Sequence, residues 1–64
     1  MNPNQIYPSR LAGDYSVTPD RSRYYTVTFH DGSSKSAYIN DDHVVELLTG
    51  GIPDNDDVKQ IETI

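Results

Sequence analysis

The chain has 64 residues, which allows one domain at most and places it near the lower size limit for a protein that folds alone. Fourteen residues are Leu, Ile, Val or Phe and none is Cys, so the core is small, no disulfide supports it, and we expect a homodimer. The net charge of −5 argues against direct binding to nucleic acid. No apolar segment approaches the ~20 residues of a membrane span and the first residues do not resemble a signal peptide, so a cytoplasmic protein is expected.

The N-terminal segment combines two prolines and a glycine with no helical or strand period. Residues 1–13 are therefore predicted to form an irregular arm. Three apolar side chains in it are candidate anchors onto the body of the protein: Ile6, Tyr7 and Leu11. The remainder, residues 14–64, is predicted to be a single small α+β domain.

The middle of the chain predicts antiparallel strands. Alternating polarity over 14–18 favours a short strand, and Pro and Asp in 19–22 favour a turn. Residues 24–30 alternate with period two and are rich in β-branched and aromatic side chains, which favours a strand. Asp-Gly within 31–34 is typical of a hairpin turn, and residues 35–39 are predicted to return antiparallel.

The segment NDDHVVELLTGG, residues 40–51, has the features of a short helix. Asn40 or Asp41 is a suitable N-cap, because its side-chain oxygen can accept from free amides of the first turn. Three apolar residues share one helical face at i, i+3 and i+4: Val44, Leu47 and Leu48. Gly50 or Gly51 is suited to a left-handed C-cap. We therefore predict a helix over about 41–49.

The last nine residues, 56–64, are compatible with two structures. Val58, Ile61 and Ile64 are spaced by three, as in a helix, but the content of β-branched residues favours a strand that joins the sheet. We favour the strand, because a hairpin needs a further partner to be stable. The predicted architecture is β-β-β-α-β, a small antiparallel sheet with one short helix packed on one face. Four side chains of the sheet are expected beneath that helix: Val27, Phe29, Ala37 and Ile39.

Charge is distributed unevenly along the chain. Residues 1–39 sum to +1, whereas residues 40–64 sum to −6. The acidic half suits a partner with a basic surface, such as the nucleic-acid-binding groove of a host protein. Six carboxylates are the candidate partner-binding residues: Asp41, Asp42, Glu46, Asp54, Asp56 and Asp57.

Catalytic, metal and cofactor sites are not expected. The side chains of 41–43 would diverge by ~100° on a helix and could not converge with His30 on a metal, and 54–57 lacks the spaced ligands of a calcium loop. No serine is placed by the sequence in a triad with His30. Basic and aromatic residues occur together at Arg21, Arg23, Tyr24 and Tyr25, as in single-strand nucleic-acid binders. Only four positive side chains lie in this half of the chain, so the signal for nucleic-acid binding is weak.

From Tyr24 onward the order of predicted elements resembles the small acidic phage-encoded inhibitors of uracil-DNA glycosylase. The shared pattern is a tyrosine-bearing hairpin, a short acidic helix ending at glycine and a final strand. VELLTG at 45–50 is similar to the family's helix, which implies Glu46 as an acidic contact residue. Val45 and Thr49 depart from the family, which has aromatic residues there. The resemblance implies a dimeric DNA mimic that inhibits a nucleic-acid enzyme.

Two functional hypotheses follow. The first is a non-enzymatic inhibitor, of phage or mobile-element type, that blocks a host nucleic-acid-handling protein through a DNA-mimicking acidic surface. The second is a small assembly module that joins a larger complex through a sheet edge or a tyrosine-rich face. Tyr24 and Tyr38 are predicted on the sheet face that the helix does not cover, and are therefore the candidate dimer interface.

Overall fold

The structure is a computed structural model that describes residues 5–15 and 17–64, except the side chains of 12–14. Its elements in chain order are α1 Pro8–Asp14, β1 Tyr24–Phe29, β2 Ser34–Ile39, β3 Val45–Leu47, the 3₁₀ helix η1 Asn55–Asp57 and β4 Val58–Thr63. The strands form an antiparallel sheet in the order β3-β2-β1-β4. The predicted class, a small antiparallel sheet with one short helix, is confirmed. The positions of several elements differ from the prediction.

The core lies on one face of the sheet. Alternate strand residues point to this face, as the period of two requires. The core cluster contains Tyr25, Val27, Ala37, Ile39, Val45, Leu47, Val58 and Ile61, joined by Ile6 and Leu11 from the N-terminal segment, and Val44 is buried outside this cluster. Tyr15, Val17 and Phe29 pack against this cluster and remain partly exposed.

The helix is formed by the N-terminal segment, where an irregular arm was predicted. Tyr7 is the extended N-cap residue, and Pro8 begins the helix, where its missing N–H has no intrahelical partner to lose. Leu11 is fully buried, as is Ile6 before the helix, so two of the three predicted anchors are confirmed, while Tyr7 is only half-buried. Seven residues are too few to form a stable helix alone, which explains why the sequence period did not show it and why packing decides it. Residues 1–4 of the predicted arm lie outside the described residues.

The predicted helix over 41–49 is wrong. Asn40 Oδ1 accepts from the amides of Asp42 and Val44 at 2.9 and 3.0 Å, which makes a turn. His43 then adopts a left-handed backbone with φ +60°, and the chain continues as β3 beside β2. Leu48, expected to face the core, is 53% exposed. The side chain assigned as an N-cap thus reverses the chain between two strands.

The predicted strand over 14–18 is also absent. Asp14 ends α1, Ser16 lies outside the described residues, and residues 17–20 have no regular structure. This segment is held by the buried hydroxyl of Tyr25, which accepts from the Asp20 amide at 2.7 Å and donates to the Asp20 carbonyl at 3.0 Å. The predicted turn over 19–22 is confirmed, since the Arg23 amide donates to the Asp20 carbonyl.

The C-terminal strand is confirmed, and a bulge explains its ambiguous spacing. The register of β4 against β1 shifts between Thr28 and Phe29. Val58 and Ile61 therefore both face the core although they are three residues apart. Among the described residues, none of the helical segments has the length and apolar character needed to cross a membrane.

Candidate protein-binding face

The second face of the sheet is not covered by any described segment, and its side chains form three rows across the strands. We call this surface the open face. The tyrosine row contains Glu46, Tyr38, Tyr24 and Ile64. The middle row contains Leu48, Ser36, Thr26 and Glu62, and the hairpin row contains Ser34, Thr28 and Gln60.

The apolar side chains of the open face are gathered at one end. Tyr24 is 55% exposed, Leu48 is 53% exposed and Ile64 is 67% exposed. Tyr38 is half-buried between Tyr24 and Glu46. The rest of the face consists of hydroxyl, amide and carboxylate groups. A concentrated group of exposed apolar and tyrosine side chains beside polar rows is the composition found at protein interfaces.

Two arginines border the tyrosine row. Arg21 and Arg23 line a shallow concavity of about 220 Å³ together with Tyr24, Tyr38 and Leu48. Arg21 Nη2 lies 2.6 Å from Asp41 Oδ1, and Arg23 Nε lies 3.2 Å from Asp20 Oδ2. The concavity is smaller than the ~300–1,000 Å³ of ordinary small-molecule sites, so a flat macromolecular contact suits it better.

Polar contacts hold the tyrosine row in place. Asn40 Nδ2 donates to Glu46 Oε1 at 2.9 Å. A hydrogen bond with Glu46, assisted by burial and by the charges of Glu46 and Asp41, raises the pKa of Tyr38 above its ordinary value. The same Asn40 makes the β2–β3 turn, so this turn and the tyrosine row are organised together.

The acidic residues predicted as a single binding surface lie in two groups. Asp41 and Asp42 are in the β2–β3 turn, at the end of the sheet where Tyr24 begins β1. Asp54, Asp56 and Asp57 are at the opposite end, where the Asp57 carbonyl accepts from the His30 amide. A six-residue strand separates the groups by ~20 Å. Glu46 belongs to neither group, because it lies in the tyrosine row.

The hairpin between β1 and β2 has a polar concavity of about 400 Å³ that includes His30 and Ser33. Ser33 Oγ donates to Asp31 Oδ1 at 2.6 Å, and the Ser33 amide donates to the same oxygen at 2.8 Å. These bonds lower the pKa of Asp31, with the hydroxyl contact the larger cause. The serine therefore stabilises the turn that Gly32 makes at φ +92°.

Within the part of the chain that the structure describes, no three His, Asp or Glu side chains come close enough to hold a metal ion. The acidic side chain at the start of η1 has a structural contact instead: Asp54 Oδ1 accepts from the Asp56 amide at 2.9 Å.

Sequence reasoning identified Tyr24 and Tyr38 on this face and missed Leu48 and Ile64. A signal for each was present. Glu46 and Leu48 alternate with buried neighbours, and Ile64 continues the alternation of Gln60 and Glu62. Leu48 was assigned to the core because its segment also fits a helical period.

Comparisons of this chain with protein-family models, with curated proteins and with solved structures find no match. The segment on which the resemblance to uracil-DNA glycosylase inhibitors rests, residues 45–50, forms β3 and a turn in this protein and not a helix.

Proposed function

We propose that this protein is a small, non-catalytic protein-binding module and that the open face is its contact surface. One observation supports this most directly: three of the four large apolar side chains exposed in the described chain, those of Tyr24, Leu48 and Ile64, lie on this face. Tyrosine and arginine are the residue types that most often dominate binding energy at interfaces, and both border the same concavity.

The test compares two exposed apolar residues of the same loop region. Leu48 lies on the open face, whereas Ile52, which is 39% exposed, lies outside its rows. Tagged Leu48→Glu and Ile52→Glu variants are used to capture proteins from a cell lysate, with quantitative mass spectrometry against the unchanged chain. Partners should be lost with Leu48→Glu and retained with Ile52→Glu. Equal retention by both variants would contradict the proposal.

A second candidate is the DNA mimic that blocks a host nucleic-acid-handling protein through its carboxylates. The observation that favours it is the charge of −6 over residues 40–64, together with the exposure of Asp41, Asp42, Asp54 and Asp56. The ~20 Å between the two acidic groups corresponds to about six phosphate steps at ~3.4 Å per strand. Association through these charges would be fast and would weaken with salt.

Two aspartates allow a clean test of this second candidate. The side chains of Asp42 and Asp56 are exposed, while the turn-forming contacts belong to Asn40 and Asp54. The double variant Asp42→Lys, Asp56→Lys should abolish capture of a basic partner if the protein is a mimic, and Leu48→Glu should not. The opposite pattern is expected if the open face is the contact surface. Glu46 is unsuitable for reversal, because it supports Tyr38.

A further inference from the structure

We infer that a second copy of this chain binds the open face, related by a twofold axis that crosses the strands at the tyrosine row. The inference rests on the proposed function, because it names the partner of the same face. Its geometry follows from the rows: such an axis places the tyrosine row of one copy against that of the other. A twofold contact is isologous, so both copies use the same residues, and the residues on the axis meet their own counterparts.

Charge complementarity favours this occupant. Arg23 lies beyond one side of the tyrosine row and Glu62 lies in the middle row, on the other side. The axis therefore brings Arg23 of each copy over the middle row of its partner, where Glu62 is. The ion pair of Arg23 with Asp20 uses Nε, which leaves both Nη groups available as donors to a second carboxylate.

The overall charge makes this contact selective for one surface. Each copy has a net charge of −5, so two copies repel one another through most of their surfaces. The region around the tyrosine row has both signs: Arg21 and Arg23 lie beyond the row and Glu62 lies in the middle row, while Glu46, which meets its own counterpart at the axis, accepts from Asn40. At physiological salt the repulsion from distant charges is screened within ~8 Å, so a balanced patch can make contact.

The area of the face sets the strength of the dimer. Three strands of six residues and one of three, spaced by ~4.8 Å, outline at most ~340 Å² per copy, or ~700 Å² for the pair. Stable complexes bury ~1,200–2,000 Å², and weaker encounters bury less. The two arginine side chains add to the contact without changing this class. Contacts of this size are weak, so we expect a reversible dimer with a dissociation constant on the order of ~10 µM to 1 mM.

The experiment is sedimentation equilibrium of the full chain from about 10 µM to 1 mM, a range chosen for weak contacts of this size. The mass should rise with concentration toward twice 7.2 kDa. Leu48→Glu should raise the dissociation constant at least ~10-fold, whereas Ile52→Glu should not change it. Amide NMR spectra of each variant confirm that the fold is retained.

A charge exchange tests the axis. Arg23→Glu and Glu62→Arg should each weaken self-association ~5-fold or more, because like charges then meet across the axis, and an equimolar mixture of the two should restore it as a heterodimer. Lys59→Glu, a matched change outside the rows, should have no such effect. The inference is overturned if the protein is a monomer at 1 mM. It is also overturned if Leu48→Glu leaves the dissociation constant of the dimer unchanged and the equimolar mixture of the charge variants does not restore association. Lysate partners that still depend on Leu48 in a monomeric protein would leave the proposed function standing.

Discussion

The buried hydroxyl of Tyr25 should be worth more to this protein than any other single polar atom on the core face. Its side chain is fully buried in β1, and its oxygen accepts from the Asp20 amide at 2.7 Å. It donates to the Asp20 carbonyl at 3.0 Å, with the Thr18 carbonyl at 3.3 Å as a weaker alternative. Tyr25→Phe removes these bonds and keeps the ring in the core, so it isolates the contribution of the hydroxyl.

The expected loss is about 2 kcal/mol in the free energy of unfolding. One accepted and one donated bond each contribute ~1 kcal/mol net, and partial exposure of Asp20 lets water reach the orphaned amide, which limits the cost. A chain of this length has a total stability of roughly 3–10 kcal/mol. With a urea m-value near ~1 kcal/mol/M, the unfolding midpoint should fall by ~2 M.

Urea titration followed by circular dichroism measures this change, and Tyr24→Phe is the matched control. Tyr24 precedes Tyr25 on the open face, and its replacement should change stability by less than ~0.5 kcal/mol. Amide hydrogen exchange gives a local readout: the Asp20 amide should exchange faster in Tyr25→Phe. A loss no larger than that of Tyr24→Phe, with unchanged exchange at Asp20, would refute the reasoning.

Three further outcomes are expected. His43→Gly should raise stability by ~0.5 kcal/mol in urea titration, because relief of the left-handed strain at φ +60° exceeds the added entropy of the unfolded chain, and a loss would contradict this. Glu46→Gln should lower the pKa of Tyr38 in an ultraviolet titration. Because folding raises the pKa of Tyr38, the stability that this shift contributes is present below about pH 10 and is lost as the pH rises through the folded pKa. The hydrogen bond from the Ser33 hydroxyl is the largest cause of the lowered pKa of Asp31. The stability that this shift contributes is present above about pH 4 and is lost as the pH falls through the folded pKa, so Asp31→Asn should flatten the decline in stability below pH 4.

The sheet could be predicted from the sequence where local and tertiary preferences agree. Residues 24–30 alternate with a period of two, and the Asp-Gly turn fixes the register of the hairpin. The pairing Tyr24↔Tyr38 and the separation of these tyrosines from Tyr25 follow directly from that register. The half of the candidate site that belongs to this hairpin could therefore be predicted from the sequence.

The other half could not be predicted because VVELL, residues 44–48, satisfies two periods. Positions 44, 47 and 48 share a helical face, and positions 45 and 47 share a strand face. Asn40 is equally suited to cap a helix or to make a turn. In this protein its side-chain oxygen accepts hydrogen bonds from two backbone amides and so stabilises the turn. The N-terminal helix was missed because its local sequence shows no helical period. Its stability depends on the packing of Ile6 and Leu11 on the sheet, which is a tertiary contact that a short sequence pattern does not reveal.

The placement of the helix decides which face of the sheet remains available. Ile6 and α1 cover the face that contains Tyr25 and Val27, and the Val45 amide donates to the Ile6 carbonyl, which ties this cover to β3. A helix over 41–49 would have left the N-terminal segment free to cover the second face. Among the described residues, no further helix or strand lies on the face that contains Tyr24. That face exposes tyrosine, leucine and isoleucine side chains at one end, which is why we propose it, and not the face beneath α1, as the surface that binds a partner.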